Sequence, residues 1–144
     1  MILLEIFAGG AALSEALSGT HVQARPPVDL HGGARGGTRA MDVISADFLD
    51  PMVEAEVVRQ IRDPLGPNMF QFSPHTRTFR TDLAGSTRLA WDPGGRGPSA
   101  AKWLPSRSAA VTGRLSTLAR DRGQFFSIIA PSQRNFWMLP NNTR

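Results

Sequence analysis

Ser73-Pro74-His75-Thr76-Arg77-Thr78-Phe79-Arg80 packs a hydroxyl, an imidazole and guanidinium groups into one polar turn. It follows the apolar run Met69–Phe72, so it stands at the end of an expected strand. Strand ends in α/β sheets are where ligands bind. Thr76 is a weak nucleophile without a base beside it, and His75 is the one base in the turn. Neighbouring residues rarely aim at each other, and no nucleophile-elbow pattern supports a Ser-His-Asp arrangement. The chain contains no cysteine, which removes thiol nucleophiles, disulfides and zinc-thiolate sites. His21, His31 and His75 share no metal-ligand spacing, so no metal site is expected.

A second candidate lies near the N-terminus. Phe7-Ala8-Gly9-Gly10-Ala11 breaks the apolar run Ile2–Phe7 and opens a helical pattern over Ala11–Leu17. Small residues at such a turn let a ligand approach the backbone. Asp29 falls near the end of the next strand, where an acid can hold a ribose hydroxyl. Asp47 falls after the third strand region. It could meet an adenine ring, though a capping or surface role suits it better. The glycines also serve simply to turn the chain.

The elements that must position these groups alternate in type. Val22–Leu30 reads as a second strand that Pro26-Pro27 would confine to an edge or cut short. His31–Thr38 is a glycine-rich loop, and Met41–Ala46 is a short strand. Asp50-Pro51 is a helix start, with an acceptor at the cap and proline at the first helical position. Val53, Val57, Val58 and Ile61 follow at helical spacing, and Asp63–Pro67 stops the helix. After Met69–Phe72 comes a long loop over 73–105. Ser106 or Ser108 then caps a helix carrying Val111, Leu115, Leu118 and Ala119, which Gly123 ends. Gln124–Ile129 reads as a last, buried strand closed by Pro131. The helix over Ala11–Leu17 is expected to present Ala12, Leu13, Ala16 and Leu17 along one face. The expectation is a single α/β domain over 1–144, Rossmann-like, with a mostly parallel sheet and helices on both faces.

Composition bounds the rest. The chain has 144 residues, 41% hydrophobic and 19% charged, enough for one domain with a core. No apolar run reaches a membrane span, and the first residues lack the basic region of a signal peptide. The net charge is +4, and Lys102 is the only lysine, so the positive charge is almost all arginine. Arginine suits bidentate phosphate and carboxylate contacts, so a nucleic-acid partner is permitted. The arginines are scattered, which an ordinary surface also allows. Arg77, Arg80, Arg88 and Arg96 on the long loop are the candidate contacts to nucleic acid or an acidic protein surface. The region of Trp91 and Trp103 is either an interface or core filling.

In this order, three stretches resemble the catalytic core of a cytosine-C5 DNA methyltransferase. Leu4–Leu17 (LEIFAGGAALSEAL) resembles the family's S-adenosylmethionine loop, Glu-x-Phe-x-Gly-x-Gly. Ser73-Pro74-His75-Thr76-Arg77-Thr78-Phe79 resembles its catalytic Pro-Pro-Cys-x-x-Phe-Ser loop. Phe125–Pro131, with Trp137 beyond, resembles its Phe-Ser-x-Glu-Asn-Pro strand end. The likeness spans Leu4 to Pro140. It implies cofactor contacts at Glu5, Phe7, Gly9, Gly10, Asp29 and Asp47. It also implies that the catalytic positions are degenerate. The nucleophilic cysteine falls on Thr76 and the proline before it on His75. The glutamate that contacts the base falls on Ile129, and the asparagine beside it on Ala130. The last cofactor-loop glycine falls on Ala11. The sequence stops soon after Trp137, so the implied core is truncated, without a target-recognition domain.

Three functions follow as expectations. The first is a catalytically inactive methyltransferase-like protein that binds or supports protein partners in a larger assembly. It requires no cofactor, though S-adenosylmethionine could still enter. The second is an S-adenosylmethionine-dependent enzyme with another target and His75 as its base. The third is a small accessory subunit unrelated to methyl transfer.

Overall fold

The computed structural model describes residues 1–9, 11–29, 43–48, 50–74 and 100–130, without the side chains of 100–104. Nine elements follow one another: β1 (Ile2–Ile6), α1 (Ala12–Ala16), β2 (Gln23–Ala24), β3 (Val28–Asp29), β4 (Ile44–Ser45), α2 (Pro51–Arg62), β5 (Met69–Phe72), α3 (Ala100–Asp121) and β6 (Phe125–Ile128). Six strands form one sheet in the order β4-β3-β1-β5-β6, with β2 pairing the start of β1. Every pairing is parallel. This is the α/β, Rossmann-like architecture expected from the alternation of strands and helices.

The sheet is built outward from β1. Along one edge β1 pairs with β5 over four residues, Leu3 with Met69 through Ile6 with Phe72. Along the other it pairs with β2 at Ile2 and Leu3, and with β3 at Ile6. The gap between β2 and β3 is Pro26-Pro27. Neither proline carries an N–H, so two ladder donors are missing there. The prolines thus cut the expected second strand in two. They do not push it to an edge, because β3 lies between β1 and β4.

Alternation along β1 and β5 assigns the two faces different chemistry. Leu4, Ile6, Phe70 and Phe72 point to one side, where they pack with Val57 and Ile61 of α2 and Val111, Leu115 and Ala119 of α3. Phe70, Phe72, Ile6 and Ile61 are fully buried. Each such side chain contributes about 1.5–3 kcal/mol of transfer free energy. The other side carries Glu5 and Gln71, also buried, and meets α1. Helices therefore cover both faces.

Local signals explain the helix ends. Asp50 sits in extended backbone and its carboxylate accepts from the Met52 N–H at 2.9 Å, with Pro51 at the first helical position. Gly123 closes α3 at φ +70°, a left-handed conformation that glycine adopts without strain.

Three expectations need correction. The loop expected over 73–105 does not reach Pro105, because α3 begins at Ala100 and holds Pro105 inside it. Proline more often opens a helix, so the sequence pattern placed the start at Ser106 or Ser108. Ser108 lies within the helix, and its hydroxyl donates to the Pro105 carbonyl at 3.0 Å. The buried residue of α1 is Ser14, while Ala12 and Ala16 are exposed, because Ser14 is tied to Glu5 beneath it. The strand expected as buried, β6, has Phe125 72% exposed and Ile129 just beyond it 66% exposed. Among the described residues β6 has β5 as its only strand neighbour, so one edge and much of one face stay open.

Packing of α2 against α3 includes a charged clamp. Glu54 accepts from Arg114 Nε at 2.7 Å and Nη2 at 2.8 Å, and from Arg107 Nη2 at 2.9 Å. Arg107 Nε also donates to the Phe48 carbonyl at 3.1 Å. The hydrogen bond from Arg114 holds the Glu54 carboxyl below its usual value of 4.5, against the upward push of burial. A depressed carboxylate stabilises the fold fully above its unfolded pKa. That contribution disappears as pH falls through the folded value. Glu54→Gln should therefore cost about 1–2 kcal/mol at neutral pH, between an exposed pair and a buried charged hydrogen bond. Urea unfolding of both forms at neutral pH and below the carboxylate range should show the difference shrink in acid.

Candidate functional site

Where chain order reverses across a parallel sheet, the loops part and leave a crevice at the carboxyl ends of the strands. Here the chain runs from β1 outward to β3 and β4, then crosses back to β5 on the other side of β1. The switch point therefore lies between the carboxyl ends of β1 and β5. Ser73 N–H donates to the Ile6 carbonyl at 3.0 Å, and Ala8 N–H donates to the Val28 carbonyl at 3.1 Å. These bonds hold the two strand ends and β3 level with one another.

The turn after β1 has unusual backbone geometry. Phe7, Gly9 and Ala11 all have positive φ, at 59°, 54° and 56°. Glycine takes this region freely, whereas residues with a Cβ are strained in it by about 1–2 kcal/mol. Such strain persists only where the surroundings enforce it. Packing enforces it here. The Phe7 ring is buried against Phe48, with centroids 4.4 Å apart and planes at 46°. Ala11 N–H donates to the Ala8 carbonyl at 2.8 Å, and the methyls of Ala8 and Ala11 are buried with Val43. Around Gly9 a Cβ would meet nothing within 4 Å, so that stretch of backbone is open.

Glu5 is 4% exposed on the α1 face of the sheet. Its Oε2 accepts from the Ser14 N–H at 2.9 Å and from the Ser14 hydroxyl at 2.7 Å. This carboxylate therefore fixes α1 over the sheet. Gln71 stands opposite Glu5 in register, and Ser127 opposite Gln71. The Ser127 hydroxyl donates to Gln71 Oε1, so a polar row crosses the sheet from β1 to β6. The sequence pattern hid this row, because one polar residue in each of three apolar strands carries no local signal.

Asp29 ends β3 and is 8% exposed, yet its carboxylate has no hydrogen bond or ion pair among the described residues. Among the described residues the buried side-chain atoms without a partner are Thr112 Oγ1 and Gln124 Oε1, so the Asp29 oxygens reach solvent at the strand end. Asp47 is exposed, and its carbonyl accepts from the Asp50 N–H. The capping role suggested for Asp47 belongs to Asp50, whose side chain reaches Met52 N–H. At the end of β6, Ile129 and Ala130 offer no group able to move a proton. The Ile129 N–H donates to the Phe72 carbonyl at 2.8 Å, which fixes this end beside β5.

Gly10, His75, Thr76, Arg77, Arg80, Arg88, Trp91 and Arg96 lie outside the described residues, as does the side chain of Trp103. Among the described residues no group of His, Asp and Glu could hold a metal ion, and no helix is long and apolar enough to cross a membrane.

The backbone at Gly9 is open, and Asp29 stands at the end of β3. Glu5, Phe7 and Ala11 are committed to internal contacts. No family model matches the chain, and no curated protein or solved structure matches it.

The strain at Ala11 is measurable. In Ala11→Gly the relief of about 1–2 kcal/mol offsets the lost methyl and the extra chain entropy, so stability should stay within about 1 kcal/mol. Ala109 is equally buried in α3 but unstrained, so Ala109→Gly should cost about 2 kcal/mol. Chemical denaturation of the two variants distinguishes a strained turn from an ordinary one. Equal losses would contradict it.

Proposed function

We propose that this chain is a catalytically inactive methyltransferase-like domain, with a core of the cytosine-C5 type, that serves as a binding or structural subunit of a larger assembly. The observation that carries the reading is the carboxyl end of β6. Ile129 and Ala130 stand where the resemblance calls for a glutamate and an asparagine, and Ile129 is 66% exposed. An apolar pair cannot contact a cytosine ring through a proton. Thr76 in place of cysteine removes the covalent route independently, because a threonine hydroxyl is no substitute for a thiolate. The internal use of Glu5, Phe7 and Ala11 supports a fold kept for its shape. Protein partners are the expected ligands, and nucleic acid at Arg77, Arg80, Arg88 and Arg96 is the alternative.

One observation favours a second reading, an S-adenosylmethionine-dependent enzyme with a target other than cytosine C5. It is the carboxylate of Asp29 at the end of β3, near the open backbone of Gly9. Transfer to nitrogen or oxygen needs positioning and a base, and His75 is the base available in sequence.

Calorimetric titration with S-adenosylmethionine separates the two. The first reading predicts no saturable heat up to about millimolar cofactor. A dissociation constant of about micromolar order, weakened about tenfold or more in Asp29→Ala, would favour the second instead.

A further inference from the structure

The outer side of β6 is an open sheet edge with a defined register. The Phe125 N–H donates to the Asn68 carbonyl at 3.0 Å, and the Ile129 N–H donates to the Phe72 carbonyl at 2.8 Å. In a parallel pair, every second residue of a strand turns both its N–H and its carbonyl to the same neighbour. Phe125, Ser127 and Ile129 therefore direct theirs to β5. Phe126 and Ile128 direct theirs outward, where no strand among the described residues pairs with them. The side chains alternate as well. Phe125, Ser127 and Ile129 share the face of Gln71, to which Ser127 is bonded. Phe126 and Ile128 take the other face, where Ile128 packs against the core.

Edges of this kind are normally blunted by a charge, a proline or a bulge, because bare backbone and apolar side chains recruit another strand. Gln124–Ala130 contains no charged residue and no proline. Phe125 and Ile129 are instead among the most exposed large apolar side chains described, and Phe126 is exposed beside them. The run is also symmetric about its centre. Phe126 and Ile128 flank Ser127, then Phe125 and Ile129, and in the sequence Gly123 and Pro131 bound the run at equal distance on either side.

We infer that β6 pairs antiparallel with β6 of a second copy of this chain, about a two-fold axis at Ser127. In that register the outward N–H and carbonyl of Phe126 exchange hydrogen bonds with those of Ile128 in the copy, and the reverse. Phe125 lies across from Ile129 of the copy, and Ile129 across from its Phe125, as aromatic and β-branched residues pair in sheets. Ser127 meets its own copy, with Cα atoms about 4.5 Å apart. Moving the axis to Phe126 or Ile128 keeps the hydrogen bonding but sets Ile129 opposite Gly123, or Phe125 opposite Pro131. Only the Ser127 axis covers every exposed apolar side chain of β6 with another. Both copies use the same patch, so the assembly closes as a dimer. A strand pair this short buries less than about 1,200 Å² in total, the range of weak, reversible contacts. The inference is independent of cofactor binding and of methyl transfer.

Sedimentation of the full chain from about 1 to about 200 µM should show a monomer–dimer equilibrium with a dissociation constant of about tens of micromolar. Phe125→Lys or Ile129→Glu alone should weaken it by about tenfold or more, because the two-fold axis applies each change twice. The double variant should return to within about threefold of the parent, since the axis sets the new ammonium of one copy opposite the new carboxylate of the other. Both positions are exposed, and thermal melts of dilute protein check that the variants fold. Crosslinking reads the register. The chain has no cysteine, so Ser127→Cys supplies a single thiol. Its Cα separation across the axis suits a disulfide, and mild oxidation should link two copies. Phe125→Cys should stay unlinked, because its two copies stand about 13 Å apart along the strands. Four results would each overturn the inference. The first is a monomer at every concentration, which would leave the edge to the chain's own segment 131–144 or to a foreign strand. The others are a dimer that both single variants leave unchanged, no recovery in the double variant, and linkage of Phe125→Cys as ready as that of Ser127→Cys.

Discussion

β1 is hydrogen-bonded along both edges and buried on both faces, and the rest of the molecule answers to that requirement. A strand in this position has to satisfy its backbone through neighbours and its side chains through two separate layers. β5 satisfies one edge, and the broken β2–β3 pair satisfies the other despite two prolines. Leu4 and Ile6 demand the apolar layer that α2 and α3 provide. Glu5 demands the polar answer that Ser14 provides from α1. The turn after β1 then inherits its strained geometry, because Phe7 has to reach Phe48 while the chain reverses toward α1.

Much of this was legible in the chain itself, for reasons that can be named. Met69–Phe72 stood out because an apolar run lay between turn residues, and α2 because Asp50-Pro51 is a strong start with a periodic face behind it. Pro26-Pro27 marked a weakness in the second strand, though only pairing could show that the strand breaks and stays inside the sheet. Pro105 misled, since a proline in the first turns of a long helix looks the same in sequence as a proline before a short one. The apolar residues of β6 also misled. Phe-Phe-Ser-Ile-Ile reads as a strand buried on both faces, and burial depends on neighbours that composition does not name. Of the described residues, the turn after β1 and the place of Asp29 at a strand end were visible in advance. The Glu5–Ser14 bond and the polar row through Gln71 and Ser127 depend on register, which a single strand does not encode.

The chemistry at the sheet's carboxyl edge follows from what each position can offer. The turn at Gly9 is open and Asp29 has a free carboxylate, while Ile129 and Ala130 can contribute only shape. The positive charge is spent elsewhere, much of it on α3, where Arg107 and Arg114 join the helices through Glu54.

The most direct measurement is methyl transfer itself. The full chain is incubated with methyl-labelled S-adenosylmethionine and duplex DNA rich in cytosine, and the bases are resolved by mass spectrometry. The account predicts no 5-methylcytosine above the protein-free control. Enzyme-dependent 5-methylcytosine formed by this chain, with Thr76 and Ile129 in place, would contradict it.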